Sequence, residues 1–299
     1  MMNKAFLLFI SILGFVSCSS EKEYDATGVF ESTEVTVSAE TGGRIISFEA
    51  KEGDKLEKGD EVAIIDTTQL YLKKLQLMAN AKSVVSQRPD INKQIAVTRE
   101  QIAKAEKERD RAAKLVEANA AGTKQLDDWN SQLNILNKQL DAQLSSLSNT
   151  ENSLNEQSSS LDIQRAQIED LLDKSYVKSP ISGLVLSKYA EEGEYAVQGK
   201  PLFKIADMDD VFIRAYITSE QLAEVNIGTK AKVYASYGNE TRKEFDGEVI
   251  WISGEAEFTP KNIITDDERA NLVYAVKIAV NNDGSIKLGM FGEVKFIKD

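Results

Sequence analysis

Three rhythms of apolar and polar positions divide the chain. The middle one repeats every seven residues: Leu126, Leu133, Leu140, Leu147, Leu154, Leu161 and Ile168 fall at successive heptad positions without a miss. A register held that long predicts a coiled-coil seam. An earlier arm carries its own seam at Leu70, Leu77, Val84, Ile91, Thr98, Ala105 and Ala112, with a second row at Ala81, Ile95, Ile102 and Val116. Arg88 and Arg109 also fall in that second row and weaken it. Between the arms, Ala120-Ala121-Gly122-Thr123 reads as a helix stop and restart, with Thr123 as N-cap. Residues 68–118 and 124–174 are then arms of equal length, each reaching about 75 Å if unbroken. Pro89 is expected to kink or interrupt the first arm, and Ser158-Ser159-Ser160 to loosen the second. Asp66-Thr67-Thr68-Gln69 reads as a capping-box start.

On either side of the heptads the period is two, as in strands. Val37 to Asp66 matches Val177 to Ala206 at a constant offset of 140, through Val37/Val177, Gly43/Gly183, Ser47/Ser187, Ala50/Ala190, Glu52/Glu192, Gly53/Gly193, Gly59/Gly199 and Ile65/Ile205. Neither half can bury a core alone, so the two are expected to complete each other, with the helical arms leaving and returning at one place. Beyond the second half, Val211–Ile217 alternates as a strand, and Thr218 opens a short capped helix. Strand runs follow at 230–234, 247–252, 272–280 and 292–297, punctuated by glycines, a spacing that predicts a small antiparallel barrel. The expected fold class is α+β and elongated.

Composition narrows the function. Lys4 followed by an apolar run from Ala5 to Val16 is a signal peptide too short to span a bilayer as a helix. Cys18 is the only cysteine, so no disulfide forms within one chain, and there is no histidine, which removes the commonest general base and metal ligand. We expect no catalytic residue, no metal site and no cofactor. The 36 basic against 48 acidic residues give a net charge of −12, which argues against a nucleic-acid partner.

The order half-repeat, hairpin, half-repeat, barrel resembles the HlyD-type membrane fusion proteins, the periplasmic adaptors of bacterial efflux and secretion pumps. The local marks are Gly42-Gly43-Arg44-Ile45 with Glu52-Gly53-Asp54 and Gly59-Asp60, then Ser179-Pro180-Ile181-Ser182-Gly183, then Leu288-Gly289-Met290. Glu255-Ala256-Glu257-Phe258-Thr259-Pro260 with Leu272-Val273-Tyr274 is similar to the branch that works with ABC exporters. Phe15-Val16-Ser17-Cys18 resembles a lipobox, in which Cys18 becomes the acylated first residue; the alternative is a small apolar residue within the signal. The resemblance implies a signal peptide at 1–17, a tail and first strand at 18–33, a lipoyl-like barrel-sandwich domain split between 34–66 and 176–207, a hairpin at 67–175 and a β-barrel at 208–299. It further implies an inner-membrane transporter of ABC type and a TolC-like outer-membrane channel as partners. A homo-oligomeric ring and a periplasmic location held by lipid, at the inner rather than the outer membrane, complete the expectation.

By the same resemblance the hairpin tip docks the channel. Arg111, Leu115, Gly122, Thr123 and Leu126 hold the tip positions, with Gly122 where a small hydroxyl residue is usual and Thr123 just after it. Against this stands the reading of Arg111 as a solvated charge and Leu115 as a seam residue. Trp129 is open between tip contact and seam burial, and Glu255 to Arg269 between a transporter-facing segment and a solvated loop. Two rival functions remain: a structural coiled-coil lipoprotein acting as a spacer or activator, and a biotinyl or lipoyl carrier. The carrier needs a modifiable Lys at a tight tip between the halves, where this chain has Asp66 to Leu70, with Lys73 and Lys74 beyond.

Overall fold

A computed structural model of the chain describes residues 24–238, 241–258 and 272–297. In chain order its elements are β1 (Ala26–Ser38), β2 (Gly43–Phe48), β3 (Lys55–Leu56), β4 (Glu61–Ile65), α1 (Thr68–Ser86), α2 (Ile91–Glu117), α3 (Lys124–Lys174), β5 (Tyr176–Lys178), β6 (Gly183–Lys188), β7 (Tyr195–Ala196), β8 (Pro201–Thr218), α4 (Ser219–Leu222), β9 (Lys230–Ser236), β10 (Arg242–Ile252), β11 (Glu257–Phe258), β12 (Leu272–Asn281) and β13 (Phe291–Phe296). The α+β class, the long hairpin and the antiparallel barrel stand as the sequence predicted.

The two half-repeats close on each other through backbone hydrogen bonds that come in symmetric pairs. Gly53 N–H donates to Val185 O and Gly193 N–H to Ile45 O, both at 2.9 Å. Gly59 N–H donates to Ser179 O at 2.8 Å, and Gly199 N–H to Ala39 O at 2.7 Å. All four glycines have φ between +86° and +97°, a region that side chains with a Cβ avoid, which explains why the repeat retains glycine there. The sheets so formed, β5-β4-β2-β7 and the β1/β8 ribbon with β6 and β3, enclose a core that includes Ile45, Val185, Ile65, Ile205, Leu202 and Phe203. This is the barrel-sandwich.

Six strands then close a second ring, in the order β1, β8, β12, β10, β9, β13 and back to β1. Its interior is apolar, with Phe30, Ile213, Ile217, Val233, Ile278 and Val294 fully covered. Alternation along β8 places Val211, Ile213, Ala215 and Ile217 inward and their neighbours outward, as a closed antiparallel barrel requires. The barrel and the sandwich share β1 and β8. Those strands pair from Thr27/Tyr216 to Ser38/Pro201, with a register shift between Ser32 and Glu34. At that shift the Asp207 carboxylate accepts from Asp209 N–H at 3.0 Å and Asp210 N–H at 3.3 Å, and the Ser32 hydroxyl donates to the Asp207 carbonyl.

The hairpin meets one expectation and departs from another. Pro89 ends α1 outright: residues 87–90 are not helical, and Asp90 caps α2 by accepting from Lys93 N–H at 3.1 Å. The seam resumes beyond the break, with Val84 buried before it and Ile95 and Thr98 buried after it. The serine run, by contrast, leaves α3 continuous for 51 residues. Serine costs a helix only tenths of a kcal/mol, roughly, and the half-buried Leu161 and buried Leu154 hold that stretch against the other arm.

Gly28 shows how tightly the shared ribbon is drawn. A Cβ there would lie 2.2 Å from the Arg214 carbonyl oxygen, while one on Gly122 would meet nothing within 4 Å. Gly28→Ala should therefore cost about 1–3 kcal/mol and lower the thermal midpoint. Gly122→Ala should stay within about 0.5 kcal/mol of the parent in the same melts.

Candidate docking site at the hairpin tip

The hairpin is rooted in the sandwich through a small set of polar contacts. Ile65 N–H donates to Ser175 O at 2.9 Å, and Asp66 N–H to Arg44 O at 2.8 Å, so both arms start from paired strands. The buried Ser175 hydroxyl donates to Leu171 O at 2.8 Å. Its one proton is thereby used, and the Thr41 hydroxyl 3.2 Å away is the donor to Ser175 Oγ. The start of α1 corrects the capping-box reading. Thr67 makes no side-chain cap; the Asp66 carboxylate accepts from Thr68 N–H at 2.8 Å. Thr68, through its side chain and then its backbone, with a smaller contribution from Arg44, holds the Asp66 carboxyl below its ordinary value.

Along the seam, Leu77, Val84, Ile95, Thr98, Ala105 and Ala112 are buried, with Leu133, Leu136 and Leu154 opposite them. Polar pairs mark the register: Lys74 Nζ to Glu169 at 3.0 Å, Arg88 Nη2 to Asn155 Oδ1 at 2.9 Å and Thr98 Oγ1 to Gln143 Oε1 at 2.9 Å. Arg88 thus tolerates its seam position by reaching across to an amide. Trp129, left open between two roles, is half-buried and packs on the Ala105, Leu133 and Leu136 cluster with Ile102.

The tip is a Schellman turn, and its pivot is Asn119. Ala120 N–H donates to Leu115 O at 2.8 Å and Asn119 N–H to Val116 O at 2.9 Å, while Asn119 takes φ of 54°, the left-handed conformation that ends helices. This corrects the stop inferred at Gly122, which does not have positive φ. Thr123 precedes α3, but its side chain makes no cap hydrogen bond. Arg111 points to solvent beside Glu108 at 3.6 Å, a pair too exposed to hold it in place. Leu115 is 39% exposed, Leu126 is half-buried, and Gly122 and Thr123 are exposed. The structure brings these five residues to one end of the hairpin, around a turn whose last carbonyls are already satisfied. One guanidinium, one exposed leucine and a smooth turn suit insertion into a groove between other helices. The sequence signal for the pivot was weak, because Asn ends helices in this way less often than Gly.

Cys18 and its lipobox, and all but the first four residues of Glu255 to Arg269, lie outside the described residues. Among the described residues no group of His, Cys, Asp or Glu is placed to hold a metal ion, and no helix is long and apolar enough to cross a membrane. Lys73 and Lys74 lie on the helical surface, paired with Gln76 and Glu169, and not on a tight turn between the halves.

The CzcB-like barrel-sandwich hybrid domain family matches residues 33–207, which take in the sandwich and the whole hairpin. The chain is a membrane fusion protein of the HlyD/CzcB-like family. Such proteins are adaptors and not enzymes. A UPF0194 membrane protein of Yersinia enterocolitica is 31% identical over 128 residues, covering 42% of this chain and 38% of the relative. The membrane fusion protein thus spans well under half the length of the curated relatives it matches. In fold, it is similar to MacA from Actinobacillus actinomycetemcomitans, with a TM-score of 0.54 at 22% identity over 92% of this chain and 78% of that one. A membrane fusion protein of Streptococcus pneumoniae gives 0.50 at 17% identity, over 91% and 98%.

The root of the hairpin yields a pH test. Because folding lowers the Asp66 pKa below its usual 3.8, the stabilisation is present above that value and is lost as pH falls through the lowered one. Asp66→Ala should lower the thermal midpoint at neutral pH, and the gap from the parent should close below about pH 4. Asp66→Asn keeps an acceptor and should lose less at neutral pH, with its gap from the parent changing over the same acid range, because neither variant titrates there.

Proposed function

We propose that this membrane fusion protein is a lipid-anchored periplasmic adaptor that joins an inner-membrane transporter, of ABC type, to a TolC-like outer-membrane channel for efflux or secretion. The observation that carries the proposal is the hairpin itself. Its continuous 51-residue α3 reaches about 75 Å from the sandwich, and its tip presents Arg111, Leu115, Gly122, Thr123 and Leu126 to solvent or near it. A rod of that length with a shaped end is suited to bridging. MacA and the other structural neighbours support the fold of an adaptor, and the similarity of Glu255–Pro260 with Leu272–Tyr274 to the ABC-associated branch supports the transporter class.

The same rod supports assembly as a homo-oligomeric ring. Two helices cover only one stripe of each other, and Tyr71, Leu75, Met78 and Val85 leave a second stripe of α1 exposed at heptad spacing, with Val97 and Ile163 exposed higher and lower on the arms. Neighbouring hairpins in a ring would cover such side chains through a head-to-tail contact. Cys18 supplies the anchor, in keeping with a chain whose described helices do not cross a membrane.

In cells, crosslinking from a photoreactive residue at the tip should recover an outer-membrane channel, and crosslinking from the barrel should recover a permease. Leu115→Asp should reduce the channel adduct by about tenfold or more, the effect of losing roughly 1.4 kcal/mol at one contact. It should leave the permease adduct and the melting temperature unchanged. Recovery of neither partner would overturn the adaptor reading in favour of a structural spacer.

A further inference from the structure

The end of the barrel farthest from the hairpin has a composition that bridging does not require. β1 begins there and β13 ends there, since Ala26 pairs with Val294 in antiparallel register. The turn that follows α4 lies at the same end, because Ile297 N–H donates to Lys230 O at 2.9 Å and Gly228 N–H to Val249 O at 2.8 Å. At the tip of that turn stands Ile227, at 70% the most exposed of the large apolar side chains among the described residues. Turn tips ordinarily carry Gly, Asn, Asp, Ser or Pro. Here the turn is rigid: Thr229 N–H donates to Asn226 O, and Asn226 N–H to Thr229 Oγ1, each at 3.0 Å. Ile297, 47% exposed, borders the same groove, with Phe296 and Val225 buried beneath.

The position of the tether decides what this end faces. Tyr24 is fixed to the outside of the barrel, its ring 5.2 Å from that of Tyr234 and under the Arg242 guanidinium at 4.9 Å. Asp25 is fixed at the far end itself, where its carboxylate accepts from Phe296 N–H at 2.8 Å and its carbonyl from Gln221 Nε2 at 2.6 Å. Five residues separate Cys18 from Tyr24, so a lipid on Cys18 holds this part of the barrel within about 20 Å of the bilayer surface. The sandwich and hairpin lead away from the opposite end, which leaves the Ile227 end toward the lipid.

We infer that the Ile227 turn, with Ile297, is a membrane-contact finger that dips into the bilayer interface and fixes how the barrel stands on the membrane. This rests on the lipid anchor proposed at Cys18. Two exposed isoleucines are far too few for a protein interface, which takes some 20–30 residues a side. They are enough for a patch already held at the surface, because the tether supplies the effective concentration and the contact has only to set orientation. The carboxylates of Asp25 and Glu224 at the groove restrict insertion to the protruding turn.

The test uses the full mature lipoprotein in vesicles of phosphatidylethanolamine and phosphatidylglycerol, with an environment-sensitive nitrobenzoxadiazole label on Ile227→Cys. The sole native thiol is consumed by acylation, so the label is unique, and intact mass first establishes lipid on Cys18. The control is Tyr237→Cys, at the sandwich-facing end of the barrel. A blue shift at position 227 with quenching by a nitroxide carried on the lipid, both absent at 237, is the expected result. Water-like emission without lipid quenching at 227 overturns the finger while leaving the anchor intact. So does protection from aqueous iodide without lipid quenching, which would mean that protein covers the turn. Absence of lipid mass on Cys18 overturns the anchor itself. Ile227→Glu, read by nitroxide-lipid quenching of a probe at Ile297→Cys, should lose most of that quenching without a fall in melting temperature.

Discussion

Everything in this molecule hangs on the exchange of backbone hydrogen bonds between two half-repeats that are distant in sequence. Gly53 to Val185 and Gly193 to Ile45 are one interaction written twice, as are Gly59 to Ser179 and Gly199 to Ala39. The four glycines are themselves exposed, so these bonds set the register of the closure, and neither half could cover the shared core of Ile45, Ile65, Val185 and Ile205 alone. The halves are therefore stable only together, and closing them forces the chain between to go out and come back. The hairpin is an inserted loop made stiff. Its closure costs entropy once, at the root, and that cost grows only slowly with the length of the arms, so reach can be extended with little effect on the clasp.

The contacts at that root then decide how the rod stands. Ser175 occupies a fully buried position because its hydroxyl and carbonyl both have work: Leu171 O and Thr41 on one, Ile65 N–H on the other. The Thr41 and Ile65 bonds tie the end of α3 to the sandwich, and Asp66 N–H donating to Arg44 O does the same for the entry to α1, so neither arm is held merely by the other. Above them the rod is held by a narrow seam with polar registers at Lys74–Glu169, Arg88–Asn155 and Thr98–Gln143. The break at Pro89 sits in only one arm, and the continuous α3 carries the direction of the rod past it.

Much of this was legible before any coordinates. Glycine at matched positions signals positive φ, and the seven-residue period signals a seam, because each follows from local sterics or from a repeated contact. What escaped reading depended on competition between neighbours. Asp66 outcompeted Thr67 as the cap, since an ionised carboxylate is the stronger acceptor for the first free amide. Asn119 took the left-handed position ahead of Gly122 because the last seam residue, Val116, fixed where the helix had to stop. Ser158–Ser160 could not open α3, since a small intrinsic preference loses to flanking leucines. The tip residues were found together, although nothing in their spacing showed that the turn satisfies its own carbonyls.

The continuity of β1 and β8 was not visible either, because a period of two runs through a domain boundary without changing. It has a mechanical consequence. The barrel and the sandwich are not beads on a linker but two closures of one ribbon, paired from Thr27/Tyr216 to Ser38/Pro201 with register shifts between Ser32 and Glu34 and between Val37 and Ser38. Between the two domains the ribbon bulges at Ser32/Glu34, where the Asp207 carboxylate accepts from Asp210 N–H and Asn282 donates to Met208 O at 3.1 Å. A tilt imposed on the barrel is therefore carried into the sandwich along two strands whose ladder resists shear, and from there into helices hydrogen-bonded to the same sheet. A side chain at the foot of the barrel can thus bear on where a tip some tens of ångströms away points, without any conformational switch between them.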